Sequence, residues 1–497
     1  MDYILRQYFK IRQKRIQKVA ANPQSYQGSI LERILSKNKA CSYGQMNSFA
    51  SLNSYKDYCF NVPLINYEDI ATEINSMLEG KQNILCSNPV HWFAKSSGTS
   101  NNRSKFIPVT IPYLTHGHLR CAWDAASIIY NEDASAKLFK DRSLIMGGSL
   151  EKISDKVTVG DISAIILHHF PKIGRKFYTP DFETALLDDW EQKIDRIAEI
   201  TKDQDVTLMA GVPTWVIVLF KAILEKTGKS DMSEVWPNLR SFLHGGVNFE
   251  PYRTTFQKYL PSEKVIYREV YNASEGYFAL QNNKDEDGML LLCNHELFYE
   301  FIPENQINVS SPETFTIDQL EKSKVYELVI TNSSGLYRYR MNDLLEIVSI
   351  NPVKVKVAGR TQQQLNAFGE ELSIDNVSKA LAKTTALHNS EIHEFTVAPV
   401  VMTESHKGYH DWFIEFVDKP SDITAFKEDL DKVLQDLNSD YAAKRSFDLA
   451  VLAPKINVLP NGTFEKWYRS KGKYGGQNKV PRLRNDRTII DEILALI

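Results

Sequence analysis

Four short apolar runs, 143–148 (SLIMGG), 206–211 (VTLMAG), 239–246 (LRSFLHGG) and 265–271 (VIYREVY), constrain the fold of this chain more than any other feature. Each is too short for a buried helix, and each ends in, or runs into, small or turn-forming residues. Runs of this kind read as buried strands whose C-terminal ends open into loops. Between them, 183–201 and 213–226 carry apolar residues at helical spacing. Strand alternating with helix predicts an α/β fold, with ligand-binding loops at the strand ends.

The texture differs on either side of this region. Residues 1–80 read as mostly helical, broken at Asn22-Pro23 and at 61–63. From 288 to 350 strands follow closely, near 289–293, 298–302, 326–331 and 345–350, which predicts a β-rich subdomain instead of further βαβ units. A strand over 354–359 leads to Arg360-Thr361 and a boundary. Beyond it come a helix at 374–387, strands near 394–401 and 411–417, and a helix near 422–439, the alternation of a small α+β domain. The chain of 497 residues is thus expected to divide into a large domain, 1–358, and a small mobile one, 359–497.

Several classes drop out. The five cysteines are scattered and never form a C-x-x-C pair, and no H-E-x-x-H occurs, so reduced thiols in a cytoplasmic protein are expected. A net charge of -3 gives no reason to expect a nucleic-acid partner. No apolar run is long enough to span a membrane. Charge is nevertheless uneven: 466–487 holds eight basic residues against one acid, Asp486. A second basic run, Arg6, Lys10, Arg12, Lys14, Arg15 and Lys18, is interleaved with Ile4, Leu5, Phe9, Ile11 and Ile16 and suits a surface helix; a mitochondrial presequence is the alternative.

Three segments could carry chemistry. Lys95-Ser96-Ser97-Gly98-Thr99-Ser100 continues to Lys105 and offers close backbone approach, short hydroxyls and cations, the needs of a phosphate site. It is no Walker loop, and a solvent-exposed turn is the plainer reading. Tyr271-Asn272-Ala273-Ser274-Glu275-Gly276 follows an apolar strand and sets Glu275 where it could hold magnesium near phosphates; a helix N-cap at Ser274 is the alternative. Tyr337-Arg338-Tyr339-Arg340-Met341-Asn342-Asp343 ends in a carboxylate able to accept from two ribose hydroxyls, or is an edge strand with solvated arginines.

In this order, with Gly359-Arg360 after them, the segments resemble the adenylate-forming superfamily of acyl-CoA synthetases, luciferases and peptide-synthetase adenylation domains. The match is closest to the auxin-responsive GH3 family of acyl acid–amido synthetases and its bacterial relatives. Four residues separate Ser100 from Lys105 where the wider superfamily has three, and 236–239 (WPNL), 298–303 and 475–482 (GGQNKVPR) look like family segments. The resemblance implies ATP- and Mg2+-dependent conversion of a carboxylic acid to an acyl-adenylate, then transfer to an amino acid or other amine. An acyl-CoA ligase and a nucleotide-binding homologue without turnover are the alternatives. Carried over, Ser96, Ser97, Gly98 and Thr99 would contact the phosphates with Lys105 nearby. Ala273, Ser274 and Glu275 would line the adenine and α-phosphate, Glu275 also taking the metal. Tyr299, or Phe298, would stack on adenine. Asp343 would bind the ribose, Arg360 would sit at the hinge, and Lys479 would be the lysine that the mobile domain presents, with Lys466, Lys471 and Lys473 as neighbours. The segments 211–215 and 242–246 would flank an apolar acid pocket, which His168-His169 could face. Asn342 and Asn272 stand where glycine is usual; asparagine tolerates left-handed backbone better than other side chains.

Overall fold

The structure, a computed structural model, describes residues 2–96, 105–132, 141–361, 363–404, 406–471 and 480–497. Its centre is one sheet of eleven strands among the described residues. The four apolar runs become Arg142–Ile145, Val206–Gly211, Ser241–His244 and Ile266–Ala273, and all four run parallel. Buried on both faces, parallel strands need apolar side chains on both, which is why these runs do not alternate. Helices Trp190–Thr201 and Pro213–Thr227 cover them. The second starts with proline in its first turn and stops at Gly228, a left-handed C-cap.

The expected β-rich subdomain is the other half of the same sheet. Ile266–Ala273 is parallel to Ser241–His244 on one side and antiparallel to Gly276–Leu280 on the other. From there Met289–Leu291, Val353–Arg360, Tyr339–Ile350, Val325–Asn332 and Leu297–Pro303 continue antiparallel to the far edge. The turn 273–276 therefore lies where the sheet changes its pairing. Such a change of strand order leaves a crevice outside the strand ends.

A smaller sheet pairs Trp92–Ser96 with Lys105–Val109, Ser96 opposite Lys105, so both arms of the Ser/Thr/Gly loop are fixed in register. At the C-terminal end, Glu391–Val400, Tyr409–Asp418 and Lys455–Leu459 form a three-stranded sheet. Helices Ile374–Leu387 and Ile423–Leu437 bury Val377, Leu381, Phe426 and Leu430 against Trp412 and Ile414 of that sheet. This is the small α+β domain, and it rests on the large one: Thr214 Oγ1 donates to the Phe368 carbonyl at 2.9 Å, Asn366 Nδ2 to Gly246 at 2.8 Å, and the Lys444 ammonium lies 4.4 Å above the Trp215 ring.

The basic N-terminal run folds as Asp2–Ala21. Phe9 is fully buried and stacks on Tyr130 with ring centres 5.1 Å apart, and Arg12 pairs with Asp124. The helix is part of the large domain's packing. His168 and His169 both pack against Trp92. Among the described residues no helix is long and apolar enough to cross a membrane.

Candidate functional site

Asp343 and Arg360 lie opposite each other on adjacent antiparallel strands, and Arg360 Nε sits 2.7 Å from Asp343 Oδ1. The Tyr271 hydroxyl donates to the other oxygen, Oδ2. Burial, and next the Asp343 charge, push the Tyr271 pKa well up, so it remains a donor. The local backbone depends on Asn342, whose φ of 60° is left-handed, and Asn342 also accepts from the Thr361 N–H at 2.9 Å. The glycine-to-asparagine departure is accommodated here. Asn272 needs no such tolerance, because it is an extended strand residue paired with Tyr277.

The turn Ala273–Gly276 is held from below. The Glu275 carbonyl accepts from the Tyr113 hydroxyl at 2.6 Å and from Asn332 Nδ2 at 3.2 Å. A Cβ on Gly276 would come within 2.8 Å of the Tyr113 oxygen, so only glycine permits that approach. Ser274 Oγ donates to the Lys95 carbonyl at 3.4 Å, tying the turn to the strand that leads into the Ser/Thr/Gly loop. No helix starts at Ser274: the hairpin has prevailed over the N-cap signal. Glu275 is 7% exposed, and the pKa of its carboxyl is raised by that burial against the opposing charge of Lys105. Lys105, Asp343 and Arg360 all act on it electrostatically, Ser274 binds the Lys95 carbonyl, and Ser96 pairs with Lys105, so these residues are gathered around the turn. Ala273 and Ser274 are partly exposed. Ser97, Gly98, Thr99 and Lys479 lie outside the described residues.

Tyr299 corrects the sequence reading. Its ring is fully buried, its hydroxyl donates to the Leu292 carbonyl at 3.0 Å, and its N–H donates to Gln27. No face is free for adenine. Phe298 packs against Tyr55 and Tyr58 instead. The arginines of the third segment are not solvated either. Arg338, 5% exposed and just before the strand Tyr339–Ile350, donates to Glu300, Thr314 and the carbonyls of Cys59 and Val62, and that strand is paired on both sides. Tyr113, Asn332 and Tyr271 were not assigned roles from sequence. Their contribution comes from contacts spanning up to 162 residues, which no local pattern reveals.

Among the described residues no three His, Cys, Asp or Glu side chains gather as a metal cage. Magnesium keeps most of its waters and needs only one or two carboxylates with substrate phosphates, so a single buried carboxylate such as Glu275 could hold it.

One mixed sheet with a small α+β domain at the chain's end is the architecture expected from the resemblance to the adenylate-forming class. The chain aligns over 98% of its length, and 96% of the other, with the acyl acid amido synthetase AtGH3.15 in complex with 2,4-DB, at TM-score 0.62 and 18% identity. It also aligns over 95% of its length, and 91% of the other, with 2-hydroxyisobutyryl-CoA ligase in its thioester-forming state, at TM-score 0.57 and 12% identity. Residues 12–189 and 151–265 match the GH3 family N-terminal domain, 290–360 its central domain and 375–488 its C-terminal domain. The chain belongs to the GH3 family. Among its relatives, the indole-3-acetic acid-amido synthetase GH3.4 of Arabidopsis thaliana is 23% identical over 94% of this chain and 90% of its own length. GH3.8 of Oryza sativa subsp. indica, which bears the same enzyme name, is 22% identical over 94% and 89%.

Proposed function

We propose that this protein joins a small carboxylic acid to an amino acid or another amine by way of an acyl-adenylate. The observation that carries the reading is the Asp343–Arg360–Tyr271 cluster gathered beside Glu275 of the Ala273–Gly276 turn. In the first step an oxygen of the acid's carboxylate attacks the α-phosphorus of ATP, and the bond to pyrophosphate breaks. Two anions meet there, so the protein's work is positioning and charge neutralisation. Asp343 accepts from the ribose hydroxyls while Arg360 and Tyr271 keep its carboxylate oriented. Ala273 and Ser274 line the adenine and α-phosphate, Ser96, Ser97, Gly98 and Thr99 cradle the phosphates, and Lys105 supplies positive charge. Glu275 would hold magnesium, which when bound would neutralise phosphate charge. In the second step the amine nitrogen attacks the acyl carbon, AMP leaves, and the amine loses a proton.

The acyl-adenylate is a mixed anhydride that water would destroy, so the site must close during reaction. We assign that movement to the small domain of 359–497 turning against 1–358 about the end of the strand Val353–Arg360, with Arg360 staying beside Asp343 and Lys479 delivered during adenylation. Gly359, at φ 146° with open space around its Cα, is suited to the hinge. The five free cysteines accord with a reducing compartment, and we place the protein in the cytoplasm. Thioester formation with coenzyme A is the second reading, favoured by the likeness to the 2-hydroxyisobutyryl-CoA ligase fold. Exchange of labelled pyrophosphate into ATP, dependent on added acid, tests the first step. A broad acid panel that gives no exchange would refute adenylation, and a thioester formed in place of any amide would move the acceptor to coenzyme A.

A further inference from the structure

A cavity of about 380 Å³ lies between the N-terminal helix Asp2–Ala21, the π-helical turn Leu114–Leu119 with the start of helix Arg120–Glu132, and residues 290–295. No described residue given a role above in binding ATP or the acid lines it. Its make-up is that of a small-molecule site, mostly apolar with a few polar groups. Ile16, Leu119, Leu290 and Leu292 give it a buried apolar wall.

The charge on the lining is one-sided. Arg12, Arg15 and Arg120 stand against one carboxylate, Asp124. That carboxylate is already committed, because it pairs with Arg12 and lies 2.6 Å from His295 Nε2. Burial opposes its charge, but His295, Arg12 and Arg120 hold its pKa below the usual carboxylate range. Asp124 thus stays ionised, and the imidazole nitrogen facing it carries the proton. Neither Arg15 nor Arg120 has a carboxylate partner among the described residues. His295 is 4% exposed, and its other nitrogen, Nδ1, has no hydrogen-bond partner. Buried polar atoms are almost always paired, so an open one in a cavity lining calls for a guest.

These groups select the guest's chemistry. Two guanidinium forks without carboxylates suit an oxyanion, which accepts from each in bidentate fashion. The leucine-rich wall suits a hydrocarbon body. The same cavity touches the Ala273–Gly276 turn through one segment. Thr115, His116 and Leu119 line the cavity, while Tyr113, just before them, donates to the Glu275 carbonyl. Gly117 fits tightly between the two places: a Cβ there would lie 3.2 Å from the Tyr113 ring and 3.3 Å from the His295 carbonyl.

We propose that this cavity is an effector site for a small amphipathic oxyanion, separate from the site of adenylation, and that its occupation is felt at Glu275 through Leu114–Leu119. The binding stands by itself; its effect on ATP rests on the nucleotide reading above.

Naphthalene-2-sulfonate and hexyl phosphate serve as probes, because neither carries a carboxylate to activate. Calorimetric titration of the full-length protein should show one-to-one binding of at least one probe, tighter than hexanol or inorganic phosphate, which lack the head or the body. Arg120→Gln should weaken that binding by about tenfold or more, the loss of one charge-assisted hydrogen bond. Arg15→Glu, at an exposed position, should weaken it as well with an unchanged melting temperature. If Arg120→Gln does not fold, Arg15→Glu carries the test. No binding of either probe, or binding that both variants leave intact, would overturn the proposal and leave a solvent-filled cavity. With the probe saturating, the Kd of ATP should shift, and the shift should disappear in Arg15→Glu. An unchanged Kd would overturn the link to Glu275. ATP that fails to bind with or without probe counts against the nucleotide reading, and the probe titrations then decide the cavity alone.

Discussion

Replacing Asp343 by asparagine probes the proposed nucleotide site. Asp343 is 4% exposed and serves Arg360 and Tyr271, and in the proposed complex two ribose hydroxyls. Asparagine keeps one carbonyl acceptor and loses the charge, so about one charge-assisted hydrogen bond, ~1.5–3 kcal/mol, disappears from the ATP complex. That lowers kcat/KM for ATP roughly 10- to 150-fold. The fold should suffer less: the Arg360 side chain is 37% exposed, and water takes over most of what Asp343 supplied, leaving a loss of about 1 kcal/mol or less. The decisive assay is pyrophosphate exchange with ATP and with 2′-deoxy-ATP. Wild type should prefer ATP, and Asp343→Asn should lose most of that preference, because both changes remove the same interaction. A folded variant that discriminates between the two nucleotides as wild type does would refute the ribose assignment.

Three further outcomes are expected. His118 and His244 are depressed to about 4 and about 3 by burial, with Asn272 opposing it at His118 and Arg253 adding to it at His244. Below pH 6.5 the unfolded chain takes up protons that the folded chain refuses, so stability present above that pH is lost as it falls toward 4. Each histidine contributes about 2 kcal/mol of this loss at pH 5; urea unfolding at pH 7.5 and pH 5 should show the loss shrink in His118→Gln, and an equal loss would be contrary. Arg338→Met leaves the fully buried Glu300 without its guanidinium partner and should cost about 3–5 kcal/mol in chemical denaturation, with much of it regained in Arg338→Met/Glu300→Met. Lys479→Ala should slow adenylation by on the order of 10²-fold with an unchanged melting temperature; a near-normal rate would transfer the role to another C-terminal lysine.

Local pattern made much of this fold legible. The helix expected at 374–387 occupies Ile374–Leu387, with Ser373 as a cap that accepts from the Asn376 N–H. Buried parallel strands announce themselves by apolar runs, and four did. Pairing between distant segments leaves no such trace. That the β-rich half continues the parallel half through Ala273–Gly276 follows from register between strands, not from periodicity. Tyr299 lies in a strand whose first six residues are all buried, so its aromatic ring reads the same whether it packs in the core or faces a ligand. Ser274 followed by Glu275 is a sound N-cap signal, but Gly276 packs too closely on Tyr113 for anything except the hairpin. Asp343 and Arg360, singled out separately, prove to be cross-strand partners. Tyr113 and Asn332 reach the site only through folding.

Product analysis tests the central claim most directly. The protein is incubated with ATP, magnesium, a responsive acid and a mixture of amino acids, and the products are identified by mass spectrometry. Acid activation through an adenylate with an amine acceptor predicts an acyl–amino acid amide and AMP in equal amounts, both dependent on the acid. Acid-dependent ADP and phosphate, or AMP that accumulates with no amide from any amine offered, would contradict it.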